Sequence, residues 1–330
     1  MSDSPAVQIV EIDEASEGQR VDNFLLKTLK GVPKSHLYRV IRAGEVRVNK
    51  KRVQADSRLV LGDLVRIPPI RVALAAPRPD AVIPSTEFPI LFEDDAFLAI
   101  NKPAGIAVHG GSGQSFGVIE QLRRARPQAR FLELVHRLDK ETSGILLIAK
   151  KRSALKHLQD QFRSREMDKR YLALVRGVWP ARQKVIDLYL YKYLLANGER
   201  RVKVVDAEHP QAQRSLSLVQ ILARQENKAD VLGACSLLEV RIKTGRTHQI
   251  RVHLAHHQHP IAGDDKYGDF DWNKTCHALG LKRMYLHAYR LHLLHPGDEH
   301  PMTLLAEIPE ELKPWSLGWQ MKSVSSGEII

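Results

Sequence analysis

Two short apolar runs, Phe131 to Val135 and Ile145 to Ala149, bracket the polar, turn-prone residues His136 to Gly144. Each run has the length and composition of a buried strand, so the residues between them form a connector clamped at both ends. Asp139 lies in this connector, with Arg137 two residues before it and Lys140 directly after. Nearby positive charge favours an ionised carboxylate, which suits a nucleophile better than an acid. The same residues also read as an ordinary loop whose Asp bonds backbone amides and whose charges face water.

The 330-residue length predicts two domains and a large core. Cys235 and Cys276 lie far apart with no CxxC pairing, which argues against a disulfide scaffold or thiolate metal site and fits a reducing cytosol. The opening residues are acidic and lack a basic start and an apolar core, and no run approaches membrane-spanning length. A soluble, cytoplasmic protein is expected.

The formal net charge of +12 points to a polyanionic partner, nucleic acid before membrane, since no basic amphipathic anchor is visible. Between Gln19 and Val72 thirteen Lys or Arg face four acids, so most of that excess is confined to one N-terminal segment. Val21, Phe24, Leu25 and Leu29 recur at helical spacing within Arg20 to Lys30, and Gly31-Val32-Pro33 stops the helix. Ser35 is the expected cap of a second helix, with Leu37, Val40 and Ile41 inward, Tyr38, Arg39 and Arg42 outward, and Gly44 ending it. EVRVNKKRVQ alternates around Asn49-Lys50 as a hairpin, and Gly62-Asp63 leads a last strand, LVRIP. Two helices, a basic hairpin and a strand resemble the S4 (α-L-like) RNA-binding module. Its expected phosphate-gripping residues are Arg20, Lys34, Arg39, Arg42, Arg47, Lys50, Lys51 and Arg52.

From Ala73 to Pro89 the chain is Pro- and Ala-rich, as a linker is. The expected division is an N-terminal extension over 1–17, the S4 module over 18–73, a linker over 74–88, a larger domain over 89–322 and a frayed tail over 323–330. In the larger domain, Ile90 to Asp95 and Phe97 to Ile100 predict a hairpin; Val118 to Arg126 and Ala154 to Arg165 predict helices. Lys169 to Gly177 predicts a strand. Two further strands meet at an Asn197-Gly198 turn, and Ser215 to Ala223 pairs with Ala234 to Lys243. Gly110 to Gly113 lacks the lysine and register of a phosphate loop and reads as a rim loop. Thr247 is the expected cap of a helix that carries Gln249 to His253 on its first turns.

His136-Arg137-Leu138-Asp139 with Thr142-Ser143-Gly144 resembles the HRLD-x-x-TSG signature of the RluA-type pseudouridine synthases. Asn101 to Gly105 with Val108-His109 resembles that family's NKPxGxxVH motif, and Tyr171 lies in its KxYxAxVxG context. Thr244 to His253 matches TGRxHQIRxH, while Gly263 to Gly268 and Leu286-His287-Ala288 resemble GDxxYG and the LHA strand, both read as structural. The resemblance spans nearly the whole chain. It implies an α+β protein, with the S4 module followed by a mixed, mainly antiparallel sheet flanked by helices.

The resemblance also implies that uridines of 23S ribosomal RNA are isomerised to pseudouridine. Asp139 would be the nucleophile, Tyr171 the base-holding ring, Arg251 the bidentate partner of Asp139, and Arg137 an RNA-facing residue that fills the vacated stack. No cofactor, metal or membrane is expected, and a monomer is. His253, His256, His257 and His259 imitate a metal cluster without an accompanying carboxylate motif, and are expected to cap the helix or face solvent. The rival readings are a noncatalytic S4-type RNA-binding or assembly protein, a metal-dependent RNA hydrolase, and a synthase of the same family acting on transfer RNA.

Overall fold

The computed structural model describes residues 6–13, 16–29, 31–70, 83–110, 116–227 and 229–320. Most of the expected linker, the glycine run beyond Gly110 and the tail from 321 lie outside the described residues.

The N-terminal segment is built as its apolar spacing dictates. Helix α1 (Val21–Thr28) buries Val21, Phe24 and Leu25, and α2 (Lys34–Arg42) buries Leu37, Val40 and Ile41. They pack on an antiparallel sheet of β1 (Gln8–Glu11), β2 (Arg47–Val48), β3 (Lys51–Arg52) and β4 (Leu64–Ile67), in the order β1-β4-β2-β3. The hairpin turns at Asn49 and Lys50, whose φ values of 49° and 67° give the double left-handed step that matches strand twist. The Asn49 side chain donates to Asp63 at 2.7 Å and accepts from the Leu64 amide at 2.9 Å, tying the turn to the start of β4.

Two local expectations change. Residues 8–11, read from sequence as part of an extension, pair with β4 in register Gln8↔Ile67 and cover what would otherwise be an open sheet edge. The N-cap of α2 is Pro33, with no side-chain cap bond, and Ser35 lies inside the helix. The fixed φ of proline pre-sets the helix entry two residues before the serine.

The second sheet has eleven strands: β5 (Ile90–Glu93), β6 (Phe97–Lys102), β7 (Glu133–Leu134), β8 (Ser143–Ala149), β9 (Asp168–Arg176), β10 (Val185–Leu194), β11 (Arg200–Val205), β12 (Gln213–Gln225), β13 (Cys235–Ile242), β14 (Leu286–Leu294) and β15 (Pro301–Leu305). Its main path runs β11-β10-β12-β13-β9-β14-β8-β6-β5, with β15 on β14 and β7 on β8. All described pairings are antiparallel except β14 with β8, where His287 faces Ser143. Helices α3 (Val118–Ala125), α4 (Arg152–Ser164), α5 (Gln249–His256) and α6 (Phe270–Ala278) flank it, and a short 3-10 helix covers Glu310–Trp315. The molecule is therefore an α+β fold with a small helix-and-sheet unit followed by a mixed, mainly antiparallel sheet. Among the described residues, no helix is long and apolar enough to cross a membrane.

Every residue of β8 is buried, because Ile145, Leu147 and Ala149 face the cluster that includes Leu158 of α4, while Leu146 and Ile148 face the one that includes Leu122 of α3. The preceding run is strand only over Glu133–Leu134; the Val135 amide still donates to the Leu147 carbonyl at 3.0 Å, while the Phe131 and Val135 side chains are buried in the core. Gly144, at φ 111°, lets β14 approach β8: a Cβ there would run into the Ala288 carbonyl.

Two histidines are wholly buried. The Nε2–H of His287 donates to the Ala306 carbonyl at 3.2 Å, and its Nδ1 lies 2.8 Å from the Ser143 hydroxyl. His253 was expected at a cap or in solvent, but α5 is enclosed over Gln249 to Leu254, and the imidazole meets the Ser215 hydroxyl at 2.7 Å. Burial pushes both rings down to about 4. The unfolded chain binds protons to them below about 6.5 and the folded chain does not, so their stabilisation is present above that pH and lost as pH falls toward 4. Unfolding midpoints measured between pH 7 and pH 4.5 are expected to fall on acidification, and His253→Gln should flatten the slope by up to about 1 kcal/mol per pH unit.

Candidate active site

The connector ahead of β8 is fastened at three points. At its start, the Leu147 amide donates to His136 Nε2 at 3.2 Å, and the ring packs on Phe162 of α4 at 4.7 Å. Burial pushes His136 down to about 3, so it is a neutral acceptor. In its middle, Leu138 is buried in the core beneath α3. At its end, the Lys140 carbonyl accepts from the Gly105 amide at 3.0 Å and from Lys102 Nζ at 3.1 Å. With these fastened, Arg137 and Asp139 face a cavity of about 520 Å³.

Lys102, at the end of β6, is fully buried. Its Nζ also donates to the carbonyls of Pro103 and Ile106, at 2.7 and 2.9 Å. Burial lowers this amine to about 7, yet three acceptors use all three hydrogens of an ammonium, so the carbonyl cage fits the charged form.

The opposite wall comes from α5 and the turn after it. Arg251 is 2% exposed. Its Nε and Nη2 donate to Asp264 at 2.7 and 2.6 Å, and Nη2 lies 3.2 Å from Asp265. Nη1 is left facing the Asp139 carboxylate at 3.7 Å. The expected two-pronged pairing of Arg251 with Asp139 is thus corrected: the fork belongs to Asp264, and Asp139 receives one longer contact. The reason is local. Asp264 follows the turn made by Gly263, is 1% exposed and accepts from the Lys266 and Tyr267 amides, which fixes it beside the helix. Burial works against the charge of both groups, but each partner outweighs it, holding Asp264 below and Arg251 above the ordinary value.

Tyr171, on β9, lines the same cavity. Burial, and then the Asp139 charge, keep its hydroxyl protonated by raising its pKa well above that of a free tyrosine. Asp139, Tyr171, Arg251 and Arg137 thus meet in one cavity, and among the described residues Arg137 is exposed with no hydrogen-bond or ion-pair partner.

His248 was not singled out from the sequence. It, rather than Thr247, is the N-cap of α5, at a left-handed φ of 53° that a β-branched threonine would resist. Its Nδ1 meets the Tyr267 hydroxyl at 2.8 Å and its Nε2 stands 3.9 Å from Asp139. Burial is the main cause of its lowered pKa. The clue available beforehand was its place inside the TGRTHQIR run; for Lys102 and Asp264 it was the NKP and GDxxYG runs.

Far from the cavity in sequence, Lys34, Arg39, Arg42, Arg47, Lys50, Lys51 and Arg52 are exposed on the small unit. Arg20 differs, because its guanidinium forks onto the buried Asp22 at 3.1 and 2.7 Å. Of the four histidines that imitate a metal cluster, His253 is spent on Ser215, and His259 Nδ1 bonds the Arg176 carbonyl at 2.7 Å.

Residues 96–256 match the family model described as RNA pseudouridylate synthase, and residues 19–65 match the S4 domain. The chain is 50% identical over 312 residues to the ribosomal large subunit pseudouridine synthase C of Haemophilus influenzae, covering 93% of this chain and 94% of that one. It is 50% identical over 319 residues to the protein of that name from Escherichia coli strain K12, covering 94% and 96%. Among solved structures it resembles human RNA pseudouridylate synthase domain containing 1, with a TM-score of 0.56 and 25% identity over 70% of this chain and 86% of that one. Human RNA pseudouridylate synthase domain containing 4 gives 0.55 and 28% over 71% and 94%.

Lys102→Met would leave three buried carbonyls without a donor. It is expected to lower stability by about 2 to 4 kcal/mol, read by urea unfolding of the larger sheet, whereas Lys140→Ala, which removes only an exposed side chain, should cost less than about 0.5 kcal/mol.

Proposed function

The chain belongs to the RNA pseudouridylate synthase family, and on that premise we propose that it isomerises uridines of 23S ribosomal RNA to pseudouridine with Asp139 as the reacting carboxylate. The observation that carries the reading is the Asp139 carboxylate, fastened on its loop, open to the cavity and faced by the single free prong of a buried arginine. The reaction breaks the bond between ribose C1′ and N1 of uracil and forms one between C1′ and C5. The proton lost from C5 is balanced by the one gained at N1. Nothing is oxidised, reduced or hydrolysed, so the chemistry calls for no cofactor.

The uridine is first extruded from its stack, at a cost of a few kcal/mol. Arg137, exposed at the rim, occupies the space it leaves. Asp139 then attacks C1′ or the uracil ring, or takes a 2′ proton on a glycal route. Arg251 keeps the carboxylate aimed, and Tyr171 holds the detached ring while it turns. The tyrosine hydroxyl, kept protonated, is a proton donor within reach of that ring.

The division into a gripping unit over 18–73, a linker over 74–88 and a catalytic domain over 89–322 belongs to the same proposal, with β1 added to the gripping unit. Its basic residues hold the RNA backbone by charge and shape. The enzyme acts as a cytoplasmic monomer on large-subunit RNA or its assembly particle.

Asp139→Asn is expected to reduce pseudouridine formation at least about a thousandfold while RNA affinity stays within about threefold. Full activity in that variant would remove Asp139 from the mechanism. Carbodiimide mapping with reverse transcription, in cells with and without the protein, should reveal specific positions lost from 23S RNA; an unchanged map would refute the substrate. Lys50→Gln with Lys51→Gln should weaken binding similarly across RNA sequences and reduce the log–log salt slope by up to about two.

A further inference from the structure

Lys169 is a buried ammonium without an acid. It lies on β9 two residues before Tyr171, so the two side chains share the face of the strand that lines the Asp139 cavity. It is only 8% exposed. Among the described residues, no carboxylate or carbonyl accepts from its Nζ, whose one described contact is the face of the Phe162 ring at 5.3 Å. The neighbouring Asp168 is no remedy: it points the other way along the strand and is held by Arg170 at 2.9 Å and Arg241 at 2.6 Å.

The other charges near Lys169 make its position worse. Arg165, at the left-handed end of α4, and Lys243, just after β13, line the same cavity, and among the described residues neither side chain has a hydrogen-bond or ion-pair partner. His136, also in the lining, is neutral. Among the described residues, Asp139 is the only acid of the lining. Burial, opposed by Asp168 and assisted by Lys243 and Arg165, pushes the Lys169 amine down to about 8. A long cationic side chain can lie along an aromatic ring for packing alone, but packing does not account for two more cationic side chains without partners in the lining of the same cavity.

We propose that Lys169, Arg165 and Lys243 form a subsite for one backbone phosphate of the RNA, beside the place where the target uridine is turned. A full negative charge, rather than a carbonyl dipole of the base, is what three cations lining one cavity call for. The phosphodiester is the anion that every RNA strand carries. In the free protein the cluster is a self-repelling cost, and the bound phosphate relieves it. A nucleotide gripped at its phosphate while its ring is released keeps ribose C1′ in register with Asp139.

This subsite rests on the function proposed above, so its test reads binding and turnover separately. Full-length wild type, Lys169→Met and Lys169→Arg are compared on transcripts of 23S ribosomal RNA. Lys169→Met is expected to reduce the slope of log affinity against log salt by about 0.7 to 0.9, the loss of one phosphate contact, and to raise KM about tenfold with kcat within about threefold. Lys169→Arg should restore the slope. The unfolding midpoint of Lys169→Met should rise rather than fall, since an unpaired buried charge is gone; a packing role would predict a fall. An unchanged salt slope and KM in Lys169→Met would overturn the subsite. A reduced slope in a protein that makes no pseudouridine would retain the subsite and reject the proposed reaction.

Discussion

The larger unit is arranged around one buried ion pair. Arg251 and Asp264 are both withdrawn from water, an arrangement that is favourable only when the geometry is good and the remaining lone pairs are satisfied. Both conditions hold. The fork is planar and two-pronged, and Asp264 also accepts two backbone amides. Removing one member would strand the other in the interior at about 3 to 5 kcal/mol. The pair also orients: with two edges of the guanidinium committed, only Nη1 remains, and it faces Asp139. A tighter pairing would occupy the Asp139 carboxylate, whereas a contact of 3.7 Å faces it and leaves its oxygens open.

The facing wall follows a different principle. Arg137 and Asp139 are positioned chiefly by the anchoring of the residues between and around them: His136 on β8, Leu138 in the core, and the Lys140 carbonyl on the Lys102 ammonium; Asp139 adds only the longer contacts to Arg251 and His248. Reactive side chains stay free because the backbone carries the restraint. His248 stands between the two walls, its ring set by Tyr267 and its backbone held in a conformation that only surrounding structure can impose on a non-glycine residue.

Much of this was legible in the chain. The hairpin at Asn49-Lys50, the helices of the small unit and the clamped connector follow from period and turn chemistry, which are local. What escaped the sequence is contact between distant residues. Arg251 was matched to Asp139 by motif, but spacing could not reveal that Asp264 competes for the same guanidinium and wins. His253 reads as polar and helical, yet α5 is enclosed on several sides, a fact of packing rather than of period. Lys102 and Lys169 look alike in a string of letters. One is caged by three carbonyls and the other has none, and only the fold separates them.

The position of β14 sets the order in which this chain can mature. Its residues, 286–294, come late in the sequence, yet the strand lies between β9 and β8, in the middle of the large sheet. Until it emerges from the ribosome, β8 and β9, the strands beside Asp139 and under Tyr171, cannot be joined into one sheet. The four-stranded unit closes entirely within residues 8–67 and can fold as soon as it is made. A nascent chain therefore carries its basic surface more than two hundred residues before it carries the strand that completes the sheet around the Asp139 cavity.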